Sequence, residues 1–256
     1  LAGRSRPTRR VSRAGPRLLL RAAVRSLLSD SPRSLLASCQ DILSRRILTS
    51  PPAPLARRVL PVPAEQDGNP HDPVAPGDKR LYRFTLPLGS AGTYWYHPHP
   101  HGSTPEQVYR GLAGVFIVRA KADPLRDVPE RLLVISDLKL GADGRIASND
   151  ANDEMNGREG QFALVNAQRQ PLLPFDRGGR ERWRIWNASS ARYLRLVLPG
   201  SGLTQVGTDG GLLERPVKGL AELLLAPAQR AELMVDAGGN KGRVELVAAP
   251  YNRGKM

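Results

Sequence analysis

Short β-type segments recur through the second half of the chain, and this recurrence constrains the fold more than any other feature. Seven such segments occur, separated by turn signals such as "PGSG", "TDGG" and "AGGN"; they cover residues 131–138, 160–166, 181–189, 192–199, 220–227, 230–237 and 242–249. No helix-length amphipathic pattern interrupts them. Short strands with regular turn signals are typical of sandwiches. The sequence therefore predicts an all-β, antiparallel Greek-key sandwich.

Three further strand candidates lie ahead of that series. They are "KRLYRFTL" (79–86), "GTYWYHPH" (92–99) and "GLAGVFIVR" (111–119), and the linker "AKADPLRDVPE" follows them. We expect a domain boundary near residue 125. This division predicts an incomplete first domain over 59–124 and a second domain over 125–256.

The charge of the chain is concentrated at its front. The formal net charge is +14, yet residues 1–60 hold 13 arginines, no lysine and only two acids, so the remaining chain carries +3. No aromatic residue precedes Tyr82. A segment without aromatic side chains has little with which to anchor a core. We expect 1–58 to be disordered, or not to be a natural reading of the gene.

Several interpretations of this basic segment stay open. An Arg-rich, Ser-rich, acid-poor stretch is typical of a transit peptide, and Arg9-Arg10 resembles a twin-arginine signal without a clear apolar region after it. A nucleic-acid-binding arm is another interpretation, although no aromatic or glycine interleaving favours it. Cys39 is the only cysteine, which excludes an internal disulfide and a cysteine-based metal cluster. No apolar run approaches the roughly 20 residues that span a membrane.

Three of the four histidines lie together in "GTYWYHPHPHG", at His97, His99 and His101. Alternate side chains of a strand share a face, so His97 and His99 would project together with Pro98 turned away. Two imidazoles on one face suit copper, zinc, iron or nickel. The competing interpretation is a pair of ordinary polar residues at a strand end. Since copper and zinc sites take three or four protein ligands, two histidines form at best half a site.

The segment "GTYWYHPHPHG…QVYRGLAGVFIV" resembles the second copper motif of the multicopper oxidases, the laccase-like enzymes that include bacterial copper-efflux and bilirubin oxidases. The stretches "LPVPAEQDGNP", "ERWRIWNASSARYLRL", "GTDGGLLERP" and "LLLAPAQRAELMVD" are similar to the same family, so the resemblance covers roughly 60–256. It implies cupredoxin-like domains and assigns His97 and His99 as ligands of the paired type 3 coppers.

The resemblance extends to two further residues. Asp67 in "EQDGNP" matches an acid that relays protons to oxygen in relatives, and a turn-forming Asp-Gly is the alternative. His101 follows the ligand pair as in the bacterial branch, which implies that it supports the ligands from outside the copper sphere. A solvated loop histidine is the alternative there. His71, in a loop, receives no role.

The family holds four coppers with ten histidines and one cysteine, whereas this chain has four histidines. The family's first motif, His-Trp-His-Gly, is replaced by "PLAR" (54–57), which can be encoded by a string that reads His-Trp-His-Gly one base later. We therefore expect a frame-shifted front segment. The motifs that build the type 1 copper site belong to a third domain that is not in this sequence.

The resemblance implies the family's reaction. This is oxidation of a phenolic, amine or Cu(I) reductant coupled to four-electron reduction of O₂ to water, in the periplasm or outside the cell. The chain alone is not expected to perform it. The alternatives are a non-catalytic copper-binding or structural cupredoxin fragment and, from the front segment only, a basic nucleic-acid binder.

Overall fold

The computed structural model describes residues 62–74, 80–82, 84–86, 89–200, 202–237 and 244–254. The predictions for the basic segment 1–58, including the "PLAR" string, lie outside these residues. Within the described ranges, strands dominate and helices are short, so the all-β prediction is confirmed. No helix there is both long and apolar enough to cross a membrane.

The described elements are a 3-10 helix over Ala64–Gln66, helices α1 (Thr104–Tyr109) and α2 (Ala151–Asn156), and strands β1 (Gly92–Tyr96), β2 (Gly114–Val118), β3 (Glu130–Leu138), β4 (Phe162–Val165), β5 (Arg180–Asn187), β6 (Leu194–Val197), β7 (Leu203–Thr208), β8 (Gly211–Leu220), β9 (Leu223–Leu225), β10 (Arg230–Asp236) and β11 (Val247–Ala249).

These strands form three sheets. One consists of β1 and β2, a second has the order β4-β3-β5-β10-β7-β8, and a third has the order β11-β6-β9. Neighbouring strands run antiparallel except β3 and β5, which pair in parallel. The antiparallel prediction is therefore wrong for that pair. The chain leaves β3, passes through α2 and β4, and re-enters the sheet beside β3 in the same direction.

The apolar core lies between the six-stranded and the three-stranded sheet. Strand alternation places Leu133 and Ile135 of β3 on the same face as Trp183 and Ile185 of β5, and this face is buried. Leucines of β6 and β9 pack against it from the other sheet. Full burial of each such side chain contributes about 1.5–3 kcal/mol. This sandwich is the rigid support of the region that carries the histidines.

The structure departs from the sequence-based elements in three places. The described residues of 80–86 are not in a strand, so that prediction is wrong. The β7–β8 hairpin was missed, because its glycines indicate turns more strongly than its residues indicate strands. Helices α1 and α2 have six residues each, too few for an amphipathic period to be visible.

The β1–β2 pair and α1 position the histidines. Tyr96 at the end of β1 pairs with Gly114 at the start of β2, where any added Cβ would collide with the Tyr96 ring. The histidines follow β1, and α1 then carries the chain back to β2. Gly111 ends this helical turn with φ of 93°, a conformation that favours glycine.

Candidate metal site

The structure brings His97 and His99 together, but a loop does so instead of a strand. Strand β1 ends at Tyr96, one residue before the pair, and the two ring centroids are 5.9 Å apart. Pro98 and Pro100 have no N–H to donate to a ladder, so the strand cannot continue through them. Pro98, between the two histidines, has a fully buried side chain.

His97 is held by stacked aromatic rings. It is only 6% exposed, and its ring stacks on Trp95 at a centroid distance of 4.3 Å. Trp95 in turn packs on Trp186 of β5 at 5.3 Å. Because Trp186 belongs to the sandwich, this contact ties the imidazole to the rigid part of the molecule.

The tautomer of His97 follows from its backbone contact. Its Nδ1 lies 2.8 Å from the Pro98 carbonyl oxygen, which can only accept, so Nδ1 carries the proton and Nε2 the lone pair. Burial lowers the pKa of His97, the Pro98 carbonyl raises it, and the charge of nearby His99 lowers it; the net shift is downward. A neutral imidazole with an Nε2 lone pair is the form that ligates a metal.

His99 supplies the second observation in favour of a metal. Its Nδ1 is buried and has no hydrogen-bond partner. A buried polar atom without a partner costs free energy, and ligation by a metal would remove that cost. The loop that carries it is anchored at its far end, where the Thr104 hydroxyl donates to the Pro100 carbonyl at 2.6 Å.

His101 and His71 lie on the outer side of the pair. The His101 ring is 6.3 Å from that of His99, and the His71 ring is 5.9 Å from that of His101. Both are exposed. Sequence reasoning gave His71 no role, because the contact joins residues thirty positions apart in loops without a periodic pattern.

Asp67 lies at the end of the 3-10 helix and is half-buried. Its backbone N–H donates to the Ala64 carbonyl at 3.3 Å, as in a turn. Four residues later the same loop carries His71, which contacts His101. The Asp67 loop therefore lies beside the outer histidines.

A polar network on the sandwich holds β1 from below. The Thr93 hydroxyl is fully buried, donates to Glu232 Oε1 at 3.0 Å and accepts from Arg184 at 2.6 Å. The Thr93 carbonyl accepts from Arg230 Nε at 2.9 Å. We call Thr93, Arg184, Arg230 and Glu232 the Thr93 clamp. It fixes the backbone of β1 four residues before His97.

Ion pairs surround the clamp. Glu232, with no exposed surface, pairs with Arg184 and with Arg182, and Arg182 also donates to Asp123 at 2.6 Å. Arg184 pairs with Glu130 as well, at 2.7 Å. Burial of an arginine costs desolvation free energy, and a carboxylate partner offsets this cost for each of these arginines.

Sequence reasoning missed the clamp, although β5 carries a signal for it. In "RWRI", charged and apolar residues alternate, so Arg182 and Arg184 share one face and Trp183 and Ile185 the other. Such a pattern predicts a solvent-facing charged side. Here that side is buried, because β1 lies over it.

The ligand set of the described residues is small. No group of three or more histidine, cysteine, aspartate or glutamate side chains that could hold a metal occurs among them. His97 and His99 fit copper in tautomer, burial and spacing, as half of a site. A cavity of about 360 Å³ lies instead within the sandwich, where apolar residues of both sheets such as Leu133 and Leu196 line it, and none of the four histidines does.

Comparisons with known proteins identify the relatives of this chain. The family described as "Multicopper oxidase" matches residues 60–123. The multicopper oxidase mco of Staphylococcus aureus is 32% identical over 195 residues, which are 73% of this chain and 42% of that protein. The cell division protein FtsP of Escherichia coli is 31% identical, covering 69% of this chain and 38% of that protein.

A solved structure carries the likeness further. The multicopper oxidase from Campylobacter jejuni, described as a metallo-oxidase, is 47% identical with a TM-score of 0.70, and the match covers 77% of this chain and 41% of that one. The predicted cupredoxin-like sandwich is confirmed by this match. The chain spans about two-fifths of the length of these relatives. It belongs to the multicopper oxidase family, of which it represents a fragment.

Proposed function

We propose that His97 and His99 are ligands of the paired type 3 coppers of a laccase-like oxidase. The observation that carries this proposal is the pair itself: two adjacent imidazoles, one neutral with its Nε2 lone pair, the other with a buried Nδ1 that lacks a hydrogen-bond partner. Copper would supply one-electron redox chemistry there. The reaction would be oxidation of a phenolic, amine or Cu(I) reductant with four-electron reduction of O₂ to water.

The chain's own residues would orient and enclose the ligands. Trp95 holds the His97 ring on one face, and the Pro98 carbonyl keeps its proton on Nδ1. The Thr93 clamp fixes the strand before it. With four histidines in all, the chain alone is not proposed to hold the family's four coppers or to reduce O₂.

Copper titration of the chain tests the proposal. We expect copper to quench the fluorescence of Trp95, because that ring stacks on His97. His97→Gln/His99→Gln should abolish the quenching in a chain that circular dichroism shows to be folded, although the variant loses the stacking contact of His97 with Trp95. Quenching that persists in this variant would contradict the proposal.

We propose a lesser role for Asp67, as a carboxylate that takes up and releases protons near the cluster. Its half-buried position in the loop that carries His71 supports this proposal. The test needs the catalytically complete protein, in which Asp67→Asn should slow O₂ reduction and leave copper content unchanged. Loss of copper in that variant would indicate a structural role instead.

A non-catalytic copper-binding or structural role is the second candidate. It is favoured by the small ligand set of the described residues and by the similarity to a cell division protein. Measurement of O₂ consumption with a phenol and with Cu(I) separates the two. Copper bound without O₂ consumption, in a protein extended to its relatives' full length, would favour this second candidate.

We also propose two domains, 59–124 and 125–256, and a periplasmic or extracellular location. The domain division is supported by the sheet topology, because β1 and β2 form a sheet of their own, separate from the six-stranded and the three-stranded sheets. The location rests on the family resemblance. Limited proteolysis would test the division, with first cleavage expected in the linker 120–130.

A further inference from the structure

All four histidines of the protein form one row that leads from the surface inward. Successive ring centroids are 5.9 Å apart from His71 to His101, 6.3 Å from His101 to His99, and 5.9 Å from His99 to His97. Exposure falls along the row: the first two side chains are exposed, His99 is partly buried and His97 is 6% exposed. The chain has only four histidines in 256 residues, and each of them lies beside another histidine in this row.

The spacing suits shared ligation of one ion. With a metal–nitrogen distance of about 2.0 Å, the centroids of two imidazoles on one ion are at most roughly 6.4 Å apart. The separation between His71 and His101 falls inside that limit, and so do the other two separations. Each neighbouring pair is therefore close enough to bind a common ion once a nitrogen of each ring turns toward it.

Both outer loops are held in place without the metal. The Asn69 side chain accepts from the His71 backbone N–H at 2.9 Å, and Arg80 donates to the carbonyl and to the carboxylate of Asp72. On the other side, Thr104 anchors the Pro100 carbonyl. The two exposed rings therefore meet because their backbones are fixed, which lowers the cost of ordering them around an ion.

We propose that His71 and His101 bind one copper ion at the surface and pass it along the row, through His99, to the buried pair. The transfer exchanges one copper–imidazole bond for another and involves no change in the charge of the ion. Two imidazoles leave open positions on copper, as a site that must release its ion requires. The transfer rests on the proposed copper binding at His97 and His99, whereas capture at the surface does not.

Two double variants of the full chain separate the steps. His71→Gln/His101→Gln removes the exposed pair, and His97→Gln/His99→Gln removes the buried pair. Equilibrium dialysis with copper counts bound ions, and stopped-flow quenching of Trp95 fluorescence follows arrival at His97. Trp95→Leu identifies the part of the signal that comes from this ring, and circular dichroism verifies folding.

We expect the exposed-pair variant to bind one ion fewer and to load His97 several-fold more slowly, with the same final quenching. We expect the buried-pair variant to retain one ion. Loss of that ion would overturn capture, and an unchanged loading rate in the exposed-pair variant would overturn transfer. Absence of quenching in the unmodified chain would contradict the proposed copper ligands and the transfer, while dialysis of the buried-pair variant still decides capture.

Discussion

The β1–β2 hairpin and the sandwich below it are stabilised in different ways. The sandwich buries a continuous cluster of leucines and other apolar side chains between two sheets. Strand β2 has no fully buried residue, and β1 is held by the Thr93 clamp and by the contact of Trp95 with Trp186. The region that carries the histidines therefore depends on the sandwich, whereas the sandwich does not depend on the histidines. Polar contacts suit such a region, because they set direction as well as position.

Glu232→Gln should have the largest effect and should reach both regions. It leaves Arg182 and Arg184 without their shared carboxylate, and removal of one partner from a buried ion pair costs about 3–5 kcal/mol of the free energy of unfolding. We also expect weaker copper binding at His97, since the single amide oxygen of Gln cannot accept from Thr93, Arg182 and Arg184 as the two carboxylate oxygens do. Urea unfolding and Trp95 quenching measure the two effects.

Asp236→Asn is the matched control, because it breaks the exposed pair with Arg180 and should leave both measurements nearly unchanged. Thr93→Val serves as a milder variant should Glu232→Gln not fold. Reduced stability with unchanged copper binding in both variants would show that the clamp does not position the histidines.

Leu233→Ala should separate the two regions. Leu233 has no exposed surface, and its truncation in the core should lower the free energy of unfolding by about 2–5 kcal/mol. Copper affinity of the chain that remains folded should be unchanged, because the histidines are not in contact with this core. Leu224→Ala, at a position 40% exposed on β9, should cost much less. Altered copper affinity in folded Leu233→Ala would contradict the separation.

Trp95→Leu should act on the hairpin alone. It removes the ring that stacks on His97, a contact of about 0.5–1.5 kcal/mol, so copper affinity should fall by up to about tenfold. Isothermal titration calorimetry measures this without the tryptophan signal. Phe175→Leu is the control, because it breaks a ring contact with Trp183 inside the sandwich. Equal losses of copper affinity in both variants would remove the special role of Trp95.

The smallest effect is expected in acid, at Glu130 where the ion network reaches the surface. Burial tends to raise the pKa of Glu130, but hydrogen bonds from Arg119 and Arg184 outweigh it, so this pKa lies below the ordinary value of a glutamate. When the pKa of a carboxylate is lower in the folded than in the unfolded state, the group stabilises the protein at any pH above its unfolded-state pKa. This stabilisation is lost as the pH falls through the folded-state pKa.

The free energy of unfolding should therefore fall less between neutral and acidic pH in Arg119→Gln than in the unmodified chain. The difference should be slight, because Arg119 is 60% exposed. Urea unfolding across that pH range measures the change. Arg110→Gln, which removes an arginine from the exposed pair with Glu106, is the control. An unchanged acid dependence in Arg119→Gln would leave Arg184 as the residue that sets the pKa of Glu130.

Most of the sandwich could be predicted from the sequence, and part of the site. The alternation in "RLLVISDL" and "RAELMVDA" identified β3 and β10, because strand faces repeat every two residues. The hairpin of β7 and β8 was not predicted, since its glycines interrupt the alternation of apolar and polar residues. The pairing of His97 with His99 was expected, but from a strand that the two prolines end.

The sequence by itself determined which side chains can ligate a metal and which segments can be strands, because both follow from residue type and from spacing along a few positions. Only the tertiary structure decided that the charged face of β5 is buried under Thr93 and that His71 meets His101. These contacts join residues 91 and 30 positions apart, and their partners are determined by the packing of whole sheets and loops. Local pattern carries no information about such partners, because it is set by neighbours within one element.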